Sequence, residues 1–258
     1  MRNVLAVAGK ELRAYFHSPI AYLVMTVYAG LCGFFFYSFA ATFVLQSFRM
    51  QAMGGMGGPA MSLNEYVIRP LLEGVLTVVL LLLMPLVTMR LYAEEKRSGT
   101  IELLLTSPLT DLQIILGKFL GALALYSVLV VITFGYLGIL FLHGNPDAKP
   151  LLANALGLLL FGAALLALGM WFSTFTKNQI VAAVVAFAAF LLLFVLDWPA
   201  SYSYSRVTRV LSYMALTTHF DNFAKGVIDL SDVVYYVSVV LLGIFLTSRS
   251  VDALKGRA

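Results

Sequence analysis

An all-helical, polytopic membrane protein is what this sequence predicts, and three observations carry that reading. Of 258 residues, 61% are hydrophobic and only 12% are charged, against about a quarter charged in a soluble domain. With a mean hydropathy of +0.92, a soluble fold of this size could not hide its apolar surface. The apolar residues run in continuous blocks rather than alternating, which selects helices over the strands of a barrel. The charges, finally, cluster between six charge-free windows. A charge at mid-bilayer costs about 2.5–3.5 kcal/mol on insertion scales, so windows this clean are informative.

Residues 1–16 read as an N-terminal helix lying on the membrane surface. Val4, Leu5, Ala8, Leu12, Tyr15 and Phe16 share one face, and Arg2, Lys10 and Arg13 fall on another. The rival reading is a cytoplasmic extension of the first span; Ser18-Pro19 favours a bend between the two. Lys10, Glu11 and Arg13 stand where a cleavable signal peptide would need its apolar core.

Six transmembrane helices are expected at about 19–45, 70–90, 115–142, 151–174, 178–197 and 230–248, in a single domain over 1–258. A span needs roughly 17–25 residues, and the second and sixth windows reach that only by borrowing flanking residues. Placing both termini in the cytoplasm puts eleven Lys and Arg residues inside and six outside, the asymmetry a cytoplasmic membrane imposes. Met84-Pro85 should loosen the second span. Gly117 and Gly121, and then Gly157, Gly162 and Gly169, offer small faces for close helix packing.

Residues 91–114 form the longest charged interruption between the early spans, now on the cytoplasmic side. A simple reversal needs about two to six residues. This segment instead carries Glu94, Glu95, Lys96 and Arg97, a break at Gly99, and then Thr100, Ile101, Glu102 and an apolar patch Leu103, Leu104, Leu105. Ser107-Pro108 stops the patch, and Thr110 with Gln113 has the spacing of a capping box, so a new helix starts there. On the outer side, residues 46–69 include a Met/Gly-rich stretch at 53–58 that reads as a spacer, then Ser62 and Glu65 at capping-box spacing. Residues 198–229 form a longer outer segment, re-entrant or interfacial. Trp198, Tyr202 and Tyr204 suit an aromatic belt, a short helix is expected at 207–216, and a break at Thr217-Thr218-His219.

The chemistry that is missing narrows the function. There is no G-x-x-x-x-G-K-S/T, no H-E-x-x-H and no G-x-S-x-G. Cys32 is the only cysteine, and His17, His143 and His219 lie far apart, so no metal set is indicated. Glu73 and Asp197, near the outer ends of two spans, read as snorkelling groups rather than a proton relay. The net charge of +4 fits basic loops on the cytoplasmic face better than nucleic-acid binding. Whatever energy drives this protein is expected to come from a partner.

Residues 90–108, RLYAEEKRSGTIELLLTSP, followed by Ile114 to Lys118, resemble the loop between spans two and three of ABC-2 type transporter permeases. That pattern has an acidic pair, a basic residue, Gly-Thr, Glu-Leu-Leu, a Ser/Lys-Pro and a closing Gly-Lys. Phe16 to Tyr22, Thr176 to Ile180, and His219-Phe220 with Lys225, Gly226, Val227, Ile228 and Asp229 are similar to the gliding-motility-type branch of these permeases. The resemblance implies the ABC-2 permease fold and no catalytic or cofactor site on this chain, with ATP and Mg bound instead on a separate cytoplasmic ABC ATPase. It implies two ATPase copies, a second permease, identical or related, and an accessory extracytoplasmic protein. It also implies that 91–114 is a coupling element. Glu94, Glu95, Arg97 and Glu102 would make ion pairs at a rim and Leu103, Leu104 and Leu105 would fill an apolar groove, with Gly99, Thr100, Ser107 and Pro108 keeping the peg short. The competing reading folds these leucines back under the bundle. His219, Phe220, Lys225, Gly226 and Asp229 form an outer motif without an assigned role. Export of a substrate is the leading function; mechanical transmission to an outer partner without transport is the alternative, and a membrane-embedded enzyme is a third, for which clustered polar groups are lacking.

Overall fold

Among the described residues, eleven α-helices account for most of the chain. The computed structural model describes residues 2–52, 62–105, 108–143, 146–201 and 205–255, with the side chains at 103–105, 143, 200, 201 and 255 also left out. No strand occurs among the described residues.

α1 (Arg2–His17) ends in a bend at Ser18, and α2 (Pro19–Ala52) starts on the proline, which fits the first turn because its absent N–H would be unpaired there anyway. α1 is not loose. It lies across the start of α6 (Asp111–His143), where a Cβ added at Gly117 would sit 2.5 Å from Val7 Cβ and one at Gly121 would sit 2.7 Å from Glu11 Cβ. Small residues let the two backbones approach.

The second span begins as two π-helical turns, Asn64–Ile68 and Pro70–Leu76, and continues as α3 (Thr77–Thr88). Pro70 cannot donate to the ladder. Thr77 Oγ1 lies 2.7 Å from the Glu73 carbonyl and 3.0 Å from that of Leu72, taking up acceptors that the wider winding leaves short. Helix α3 runs through Pro85. Met89, whose N–H still donates to the Pro85 carbonyl (2.9 Å), separates α3 from α4, and the Thr88 hydroxyl returns to the Met84 carbonyl (3.1 Å). α4 (Arg90–Ser98) follows at once, so the charged segment prolongs the second span. Gly99, with φ 73°, ends α4 and α5 (Thr100–Leu105) leads off in a new direction. Met53 to Gly58, Ser107, Tyr202 and Tyr204 lie outside the described residues.

Thr110 and Gln113 make the reciprocal cap at the start of α6 (3.3 and 3.4 Å). Next come α7 (Ala148–Ser173) and α8 (Gln179–Val195), the latter capped by Asn178 Oδ1 on the Ile180 N–H at 2.9 Å. After a 3-10 turn, Trp198–Ser201, come α9 (Arg206–Met214), α10 (Leu216–Ala224) and α11 (Leu230–Lys255). The break expected at Thr217-Thr218-His219 falls earlier, at Ala215, whose ψ of 132° is extended; the two threonines and His219 belong to α10. Ser205 and Thr208 form a capping box that starts α9.

Among the described residues, five helices are long and apolar enough to cross a membrane: Pro19–Ala52, Asn64–Ser98, Asp111–Leu142, Ala148–Ser173 and Leu230–Leu254; Gln179–Val195 is apolar but only 17 residues long. α7 is the central post. Gly162 admits the ring of Tyr126 from α6, Gly157 admits Phe223 from α10, and Gly169 admits Thr88 from α3. Three of the large buried tyrosines bring their hydroxyls to partners: Tyr28 to Thr133 (2.7 Å), Tyr126 to the Leu158 carbonyl (2.5 Å), Tyr236 to the Leu216 carbonyl (2.6 Å). α10 enters the bundle with Leu216, His219, Phe220, Phe223 and Ala224 buried.

Candidate functional site

The second half of α1, all of α4, the start of α6 and the ends of α7 and α11 meet at one end of the bundle. The meeting is built on Lys118. This α6 side chain is 1% exposed, with Nζ 2.9 Å from Glu11 on α1 and 2.7 Å from Glu95 on α4, and 5.3 Å from the centre of the Tyr92 ring. An ammonium this deeply buried requires such pairing. Lys10 approaches Glu95 from the rim at 4.0 Å.

A second joint holds α4 to α7. Ser173 Oγ accepts from the N–H groups of Tyr92 and Ala93, both at 3.0 Å, and donates to the Met89 carbonyl at 2.9 Å. The hydroxyl thus stands in the interrupted ladder between α3 and α4, which explains how the interruption is tolerated inside the protein. One residue on, the Thr174 carbonyl accepts from Lys96 Nζ, and Thr174 Oγ1 meets Ser250 Oγ of α11 at 2.6 Å.

Beside these joints lies a cavity of about 240 Å³, whose walls include Tyr15, Arg90, Glu94, Glu95, Ser98 and Thr100. Arg90 donates from Nε to Glu94 at 2.8 Å and sets its guanidinium 5.5 Å from the Tyr15 ring centre. Arg90 Nη1, Tyr92 Oη and Glu95 Oε2 are buried and have no hydrogen-bond partner among the described residues; all three belong to α4.

The residues expected to form the coupling element therefore divide. Glu95 turns inward to Lys118, and Glu94 is 45% exposed but engaged by Arg90. Arg97, Gly99, Thr100, Glu102 and Pro108 are exposed. The side chains of Leu103, Leu104 and Leu105, and Ser107, lie outside the described residues. Lys118, Glu11 and Ser173 were not singled out as functional from the sequence. Lys118 had a legible signal: it shares a stripe with the buried Ile114, Ile115, Ala122 and Leu125, where a lysine stands only if something meets it.

At the opposite end of the bundle, the residues around His219 pack into the interior. His219 is buried, with Nδ1 2.6 Å from Asp232 Oδ1, Nε2 2.9 Å from the Tyr213 carbonyl, and its ring stacked on Tyr235 at 3.8 Å. Asn222 donates to the other Asp232 oxygen at 2.8 Å. With both ring nitrogens engaged, no free nitrogen remains for a substrate. Phe220 is buried against Phe161. Lys225 pairs with Asp221, Gly226 turns at φ 82° against Pro150, and Asp229 accepts the Ser231 N–H at 2.9 Å, which holds its carboxyl below the usual range. Among the described residues no three His, Cys, Asp or Glu side chains are grouped to hold a metal.

No curated protein matches the chain significantly. The sequence model of one family, described as ABC-2 family transporter protein, matches residues 5–251, essentially from α1 to the last turns of α11, without selecting a branch within it. By that match, across a helical membrane-type fold, the chain belongs to the ABC-2 transporter family as a permease component.

Proposed function

We propose that this chain is the membrane subunit of an ATP-driven exporter, worked by a separate cytoplasmic ATPase that grips the elbow between α4 and α5. A contrast along α4 carries the reading. Leu91, Tyr92 and Ala93 are buried and fastened to α7, while Arg97, Ser98, Gly99, Thr100 and, on α5, Glu102 are exposed. A helix fixed at its root and free at its tip delivers a push on the tip to its fastenings, here Ser173 on α7 and Lys118 on α6. In this reading Arg97 and Glu102 meet the ATPase rim, Leu103, Leu104 and Leu105 enter its groove, and Glu95 holds the root. ATP and Mg belong to the ATPase, present in two copies, and the permease pairs with a second, identical or related one.

The chain then makes six crossings with both termini in the cytoplasm of a bacterial inner membrane. α8, about 25 Å long at 1.5 Å per residue, is the short crossing, accommodated by tilt and thinning. Eleven basic residues against six support the orientation, and α1 lies along the inner surface. An accessory extracytoplasmic protein, to which the gliding-motility-type motifs point, would meet the end bearing α9 and α10.

The test is co-purification with a cognate ABC ATPase co-expressed with this chain. Leu104→Asp and Arg97→Glu are each expected to cut recovered ATPase at least tenfold while the permease elutes as a folded species. Co-elution at wild-type yield in both variants would remove the elbow as the docking element.

A further inference from the structure

A cavity of about 580 Å³ opens at the other end of the bundle, between α2, the π-helical turns, the end of α8 and α10. It falls in the size class of small-molecule sites. Its charged wall holds Glu65, Glu73 and Asp197, and its aromatic wall holds Phe39, Phe194 and Trp198, contributed by three separate elements. The one cation on the wall, Arg69, is consumed: it lies 3.0 Å from Glu73, 2.9 Å from Asp221 and 3.4 Å from Glu65. Lys225 in turn is held by Asp221. The wall itself, among the described residues, holds three carboxylates against Arg69. Asp197 is the carboxylate left over. Ser212 Oγ donates to its Oδ1 at 2.8 Å, and no cation reaches it among the described residues. Beside it, the Phe194 and Trp198 rings meet edge to face at 6.4 Å.

We propose that this cavity binds an alkylated ammonium group. A carboxylate without a counter-ion supplies the charge, and aromatic faces are the surfaces that attract a weakly hydrated organic cation. A bare metal ion is a poor fit, because no three ligating side chains converge among the described residues. An anion is repelled by the net charge. The group can belong to a soluble cation or to a choline lipid headgroup at the membrane surface. The binding stands independently of the transporter reading; only its being cargo rests on that reading.

The test uses the full chain in nanodiscs of phosphatidylglycerol, without ATPase, with choline titrated by calorimetry against empty discs. Saturable binding is expected, at least tenfold tighter than that of 3,3-dimethylbutan-1-ol, the uncharged counterpart of the same shape. Asp197→Asn and Trp198→Ala are each expected to weaken it at least tenfold. Trp198→Phe keeps an aromatic face and should stay within threefold, separating loss of the ring's cation contact from loss of fold. Absence of saturable binding, equal affinity for the alcohol, or unchanged affinity in Trp198→Ala overturns the proposal. In discs containing phosphatidylcholine, loss of choline binding identifies a headgroup as occupant, and retained binding identifies a soluble cation. Because the ATPase is absent, failure here leaves the elbow reading intact, and failure of ATPase co-purification leaves this site intact.

Discussion

Lys118 on α6 meets Glu95 on α4 at 2.7 Å, and only 13% of the glutamate side chain and 1% of the lysine side chain are exposed. With Glu11 as the third member, the pair fastens three helices at one buried point. Breaking such a cluster differs from replacing it. Lys118→Met leaves two carboxylates in a poorly solvated place and is expected to cost about 3–5 kcal/mol. The triple change Glu11→Gln, Glu95→Gln, Lys118→Met removes all three charges and should recover most of that loss. Equilibrium unfolding in mixed micelles reads both; a single-variant cost below about 1 kcal/mol would mean that the cluster is wet and weak.

The placement of the apolar helices was more legible than their joints. The apolar windows fall on α2, α3, α6, α7, α8 and α11, and Thr110 with Gln113 starts α6 as their spacing indicates, because burial pattern and capping are local. Ser173 was invisible, since a serine near the end of an apolar run has many uses. Its role exists only because Gly169, one turn earlier, lets α3 come close enough for the hydroxyl to enter a neighbour's backbone. The break at Ala215 was missed for a related reason. Thr217 and Thr218 are weak helix formers, but α10 is held by tertiary burial of Leu216, His219 and Phe220, which overrides propensity. The split of Glu94 outward and Glu95 inward depends on where Lys118 arrives from a different helix, which spacing within 91–114 does not encode.

Ser173→Ala removes one oxygen that serves two N–H groups and one carbonyl. Leaving buried backbone groups unpaired costs about 1–3 kcal/mol. The loss should be local, with hydrogen exchange at the Tyr92 and Ala93 amides rising at least tenfold while amides in mid-α7 keep their protection. Unchanged exchange at these two amides would show that α3 and α4 hold together without the hydroxyl.

Two glycines in helices should respond in opposite directions to alanine. At Gly162 an added Cβ runs into the Tyr126 ring, and Tyr126 is itself tied to the Leu158 carbonyl, so the ring cannot withdraw freely. Overpacking there is expected to cost about 1–3 kcal/mol or more. At Gly30, within α2, nothing lies within 4 Å, and alanine should be neutral or stabilising by up to about 1 kcal/mol. Unfolding midpoints of the two variants, measured side by side, check the contrast; equal shifts would mean that the α6–α7 contact is looser than the geometry indicates.

Gly99 tests whether the shape of the elbow matters apart from its side chains. It has φ 73° and open space around it, so a substitution there meets backbone strain and nothing else. A β-branched residue tolerates this conformation poorly, at about 1–3 kcal/mol, whereas asparagine visits it with less penalty. Gly99→Val should therefore redirect α5, lowering ATPase recovery severalfold while the unfolding midpoint of the bundle stays nearly unchanged, because the exposed elbow contributes little to the core. Gly99→Asn should recover most of the ATPase yield. If valine and asparagine are indistinguishable from glycine in that measurement, the left-handed turn is only a convenience of the chain, and the direction in which α5 leaves α4 does not govern docking.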